Sequence, residues 1–101
     1  MGYYTDFQVA VDDASISQEL DEILREFSDY SFNNGSAQGV KWYRWKEDMK
    51  RVSLKYPLAI FTVEGEGEEA GDLWKAYFLG GQMQLAKAQI TYEAFDAEKL
   101  K

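Results

Sequence analysis

The chain contains no histidine, no cysteine and a single proline, Pro57. Without cysteine there is no disulfide framework, no zinc ribbon and no thiol nucleophile. Without histidine the common catalytic triads, the HExxH zinc sites and imidazole acid–base chemistry are excluded. Basic residues are also few: 11 Lys and Arg stand against 18 Asp and Glu, a formal net charge of −7. An acidic surface repels a phosphate backbone, which disfavours direct nucleic-acid binding. No apolar run approaches the ~20 residues that cross a bilayer. The first residues carry neither a basic leader nor an apolar signal region. These absences set the expectation of a cytoplasmic chain with no membrane segment.

What is present suits a folded domain. The 101 residues are 46% hydrophobic and 16% aromatic, too apolar for a disordered chain of this charge and of the size of one domain, 1–101. The charge is patchy. Residues 1–38 are net −7, residues 39–63 net +4, residues 64–72 net −5 and the tail 73–101 net +1.

Residues 3–11 alternate with period two, placing Tyr3, Thr5, Phe7, Val9 and Val11 on one face of a strand. Ser15 and Gln18 have capping-box spacing. Ile16, Leu20, Ile23, Leu24 and Phe27 then form one helical stripe, which predicts a helix over 15–29. The segment 31–39, with Asn33-Asn34-Gly35, reads as a loop. Residues 40–45 are β-branched and aromatic and predict a short strand. Met49, Val52 and Tyr56 predict a second helix over 46–55, on which Glu47 and Arg51 have ion-pair spacing and which Pro57 stops. Residues 58–63 are apolar on both faces and predict a central strand. Gly80-Gly81 marks a two-residue hairpin between 73–79 and 82–92, in which Phe78 opposes Met83, Ala76 opposes Leu85 and Trp74 opposes Lys87. The order β-α-β-α-β-β-β is that of an α+β domain, a mostly antiparallel sheet with two helices packed on one face.

From Lys41 to Gln84 the chain carries a Trp-rich run (Lys41-Trp42-Tyr43-Arg44-Trp45), a helix ending Ser53-Leu54-Lys55-Tyr56-Pro57, the acidic glycine run Glu64-Gly65-Glu66-Gly67-Glu68-Glu69, then Gly71-Asp72-Leu73-Trp74 and Tyr77-Phe78 before a glycine turn. This stretch resembles the small ferredoxin-like domains of the YubB or Api92-like type found in phages, plasmids and bacterial mobile elements. The resemblance implies a ferredoxin-like fold and a mobile-element origin. It supplies no catalytic residues to carry over.

Two constellations are candidates for function. The first is basic and aromatic: Trp42, Arg44, Trp45, Lys46 and Lys50, a composition found at protein hot spots and at single-stranded nucleic-acid platforms. Its plainer reading puts a tryptophan in the core and cationic stems over the others. The second is acidic: Glu64, Glu66, Glu68 and Asp72. Extended, the run places three glutamates on one strand face. That suits partner binding, a Mg²⁺ or Ca²⁺ site, or plain solvation of a strand end. No EF-hand spacing, GxGxxG or GxxxxGK[ST] is present. A further option is that the two patches pair with each other. No metal ligand set, cofactor or catalytic residue is assigned. The leading expectation is a non-enzymatic domain that docks onto a host protein. The alternatives are an acidic nucleic-acid mimic that inhibits a DNA- or RNA-binding host enzyme, and a Mg²⁺- or Ca²⁺-dependent carboxylate site. The chain is expected to be a monomer or an edge-paired homodimer.

Overall fold

In the computed structural model, which describes residues 3–88 and 91–101, the period-two segment forms β1, Thr5–Val11. Its inward residues Phe7 and Val9 are buried, while Asp6, Gln8 and Ala10 are exposed. The remaining elements are α1 (Ala14–Gln18), α2 (Leu20–Ser28), β2 (Ser36–Val40), α3 (Trp45–Lys55), β3 (Phe61–Gly67), β4 (Leu73–Leu79), β5 (Gln82–Lys87) and a 3₁₀ turn at Ala97–Lys99. The five strands make one antiparallel sheet in the order β2-β1-β3-β4-β5. The helices pack on one of its faces, an α+β architecture compatible with a small ferredoxin-like fold. The core lies between the layers: Phe7, Val9, Phe61, Val63, Ala76 and Phe78 from the sheet meet Leu24, Met49 and Val52 from the helices.

Several local expectations are corrected. The helix expected over 15–29 is two helices with a break at Glu19, because α1 packs against β1 while α2 packs against α3. Its cap is Asp13, not Ser15: Asp13 Oδ1 accepts from the backbone N–H groups of Ser15 and Ile16 at 2.9 and 3.0 Å. The strand expected at 40–45 lies earlier, at Ser36–Val40, where Ala37 and Ser36 pair with Phe7 and Gln8. Trp42 then turns inward and Trp45 opens α3. The strand expected from residue 58 begins at Phe61, because a turn after Pro57, closed by the Ala59 N–H donating to Tyr56 O at 3.2 Å, leaves Leu58 96% exposed.

The glycine hairpin has the expected register, with Phe78 opposite Met83, Ala76 opposite Leu85 and Trp74 opposite Lys87. Gly80 and Gly81 both take positive φ, 57° and 83°, the turn that matches the twist of the flanking strands. The last strand is shorter than the 82–92 expected and ends at Lys87. Ile90 lies outside the described residues, and Tyr92 and Ala94 lie outside any strand.

Candidate functional site

The alternation of glutamate and glycine at 64–67 is a strand pattern. Gly65 faces inward directly opposite Trp74, and a Cβ on Gly65 would sit 2.0 Å from the Trp74 ring. The glycine is therefore the space in which the indole lies. Trp74 in turn stacks on Trp45, with ring centroids 4.3 Å apart and planes 19° from parallel. With the glycine turned in, Glu64 and Glu66 turn out, so the aromatic packing below fixes the carboxylates above.

These carboxylates stand on the sheet face away from the helices. Three cross-strand rows make up its middle. Asp6, Glu66 and Leu73 form the first. Gln8, Glu64, Lys75 and Ala86 form the second, and Ala10, Thr62, Tyr77 and Gln84 the third. An open hollow of about 590 Å³ lies over the first two rows, lined in part by Asp6, Gln8, Glu64, Glu66, Lys75 and Tyr77. Lys75 Nζ reaches Glu64 at 3.3 Å. The backbone N–H of Gly39 donates to Asp6 Oδ1 at 2.6 Å. Among the described residues, Glu66 has no ion pair or hydrogen-bond partner for its carboxylate.

Glu68 and Asp72 do not join this face. The backbone N–H of Tyr4 donates to Glu68 at 2.6 Å, and the Tyr3 hydroxyl donates to Asp72 at 2.5 Å. That bond to Asp72 raises the Tyr3 phenol above its ordinary pKa, against a smaller lowering by the Glu69 N–H. Both carboxylates fasten the N-terminal residues to the β3–β4 turn. Mimicry of a phosphate backbone needs spaced carboxylates on one continuous surface, and two of the four expected acids are turned aside. Among the described residues, no group of three or more acidic side chains converges as a metal site requires.

The basic and aromatic constellation divides. Trp42 is 3% exposed, with its ring packed edge-on to Phe7 and Phe32 at centroid distances of 5.1 and 5.4 Å. Its indole N–H donates to Asp48 Oδ2 at 2.7 Å, and Arg51 donates to Asp48 Oδ1 at the same distance. Arg51 is thus paired with Asp48 rather than with Glu47, because Asp48 is the carboxylate turned inward. Trp42 is a core residue and offers a partner no surface. Trp45 is half-buried against Trp74, with Lys46 Nζ 5.6 Å above its ring. Arg44, Lys46 and Lys50 remain exposed along the start of α3. The described ion pairs are Arg51–Asp48, Lys55–Glu26, Lys75–Glu64 and Lys99–Glu93. Among the described residues, none joins the 41–55 block to the 64–72 run, so the mutual pairing of the patches does not occur there.

Asp6, Lys75 and Tyr77 were not singled out by sequence reasoning. The signal was available for Asp6, which alternates with Phe7 in the clearest strand of the chain. For Lys75 and Tyr77 it lay in the hairpin register, which assigns them the parity opposite to Ala76.

No protein-family model matches the chain, and neither does any curated protein or solved structure. Among the described residues, no helix is long and apolar enough to cross a membrane.

Proposed function

We propose that the chain is a non-enzymatic binding domain whose open sheet face docks onto a basic surface of a partner protein. The observation that supports this reading is the direct opposition of Asp6 and Glu66 on the uncovered face. Like charges placed opposite each other across two strands oppose folding. A partner's lysines or arginines turn that repulsion into attraction, speeding encounter and fixing register. Tyr77 and the exposed Leu73 and Leu79 lie on the same face and supply apolar contact beside the carboxylates. The resemblance to YubB or Api92-like domains supports a host protein as the partner and a phage or mobile element as the source.

Inhibition by nucleic-acid mimicry is the weaker reading, since Glu68 and Asp72 are held by Tyr4 and Tyr3. A Mg²⁺- or Ca²⁺-dependent function draws less support still, with no converging acidic group among the described residues. The test of the leading reading is recovery of a partner by the wild-type chain and its loss from a Glu64→Gln/Glu66→Gln/Tyr77→Ala variant.

A further inference from the structure

A sheet of five antiparallel strands has two edges, and this one treats them differently. The β2 edge is blunted. It has five residues, its register with β1 shifts between Thr5 and Phe7, and Gly39 takes a left-handed φ of 62°. Among the described residues the β5 edge has little that discourages pairing, its one such device being Lys87 at the strand end. Gln82–Lys87 is regular along its whole pairing with β4, contains no proline and carries its only charge at its last residue.

The outward groups of β5 follow from its ladder. The N–H of Ala88 donates to Leu73 O at 3.0 Å. Hydrogen-bonded pairs alternate along an antiparallel ladder, so Gln82, Gln84, Ala86 and Ala88 bond inward to β4. The N–H and C=O groups of Met83, Leu85 and Lys87 then point away from the sheet. Their side chains lie on the helix side, where Leu85 is 40% exposed. The segment 91–101 adds no strand to this edge, and its Tyr92 and Phe95 are 89% and 79% exposed.

The geometry points to a second copy of this chain as the occupant of the β5 edge, paired antiparallel about a two-fold axis through Leu85. In that register Leu85 faces Leu85 of the other copy, and Met83 faces Lys87 in both directions. Every outward N–H then meets an outward C=O. Two half-exposed leucines cover each other, and the Lys87 stem lies along Met83 with no like charges opposed. The register is self-complementary, as a two-fold interface requires. It joins the two sheets into one and sets the two open faces side by side. This inference does not rest on the docking role given to the open face.

Sedimentation velocity at two protein concentrations about a hundredfold apart tests it on the wild type, Leu85→Lys and Leu85→Pro. Lysine at 85 places two like charges on the axis. Proline there removes an N–H that bonds nothing in β4, so the hairpin ladder is kept. The wild type is expected to shift toward twice the chain mass as concentration rises. Both variants are expected to stay at the chain mass with the wild-type circular dichroism spectrum. A wild type that stays monomeric at the higher concentration overturns the proposal, including the case in which an unrelated extended peptide pairs with β5 instead. A Leu85→Lys variant that dimerises as the wild type does overturns it as well.

Discussion

Asp6 and Glu66 stand directly opposite each other across β1 and β3, two carboxylates on the uncovered face of the sheet. Their neighbours relieve only part of the repulsion. Asp6 accepts the Gly39 N–H, and one row along Glu64 has Lys75 at 3.3 Å. Removing the charge of Glu66 should therefore stabilise the fold. Glu66→Gln is expected to raise the unfolding free energy by about 0.5 kcal/mol. The gain should shrink in ~1 M salt, where the screening length falls to about 3 Å. Urea unfolding at low and high salt reads both effects, and a variant less stable than wild type at low salt would show that the pair is not repulsive.

The indole of Trp74 occupies the place of a side chain at Gly65. Gly65→Ala must push it away and disturb its stack on Trp45. The expected cost is about 1–3 kcal/mol, the range for an overpacked core. Trp74→Leu in the same chain should recover part of that loss, because the two sites share one space. Unfolding of the two single variants and the double variant measures the coupling, and strict additivity would contradict it.

Trp42 and Asp48 form a buried polar pair at the apolar core. Asp48→Ala leaves the indole N–H without its acceptor and releases Arg51. A loss of about 1–3 kcal/mol is expected from the unsatisfied buried donor. Trp42→Ala removes a whole core ring and should cost about 3–5 kcal/mol. Thermal unfolding ranks the two. A Trp42→Ala variant as stable as wild type would mean that the ring is not in the core.

The bonds from the Ser15 hydroxyl and from the Ile16 and Ser15 N–H groups hold the Asp13 carboxyl below its ordinary pKa of 3.8. A carboxylate with a depressed folded-state pKa adds stability above its unfolded value and loses it as pH falls through the folded value. Asp13→Ala should therefore melt below wild type at neutral pH. The gap should close on acidification below pH 3.8, the window set by that shift. Melting curves from neutral to acid pH check this, and a gap that stays constant would remove the cap from the account.

The parts of the fold written in local pattern were legible in the sequence. Alternation gave β1, and the Gly80-Gly81 turn gave the β4–β5 register residue by residue. The parity of Glu64 and Glu66 was readable because glycine and glutamate alternate there. The strand expected at 40–45 failed because its aromatic composition answers a tertiary need: Trp42 fills the core and finds Asp48, six residues on, inside it. The break at Glu19 was not legible either, since one apolar stripe serves two helices with different packing partners. The candidate site divided along the same line. Charge parity on a strand is local, whereas the burial of Trp42 and the capture of Asp72 by Tyr3, 69 residues away, depend on the assembled sheet.

The open face, and not the basic face of α3, is proposed to hold the partner. The direct measurement is a quantitative pull-down from bacterial lysate with three baits: wild type, Glu64→Gln/Glu66→Gln/Tyr77→Ala, and Lys46→Gln/Lys50→Gln. All three should give the same circular dichroism spectrum, because every substituted side chain is exposed. The wild type and the α3 variant should retain the same basic protein, released by salt, and the open-face variant should retain none of it. Equal retention by the open-face variant, or loss confined to the α3 variant, would contradict the proposal.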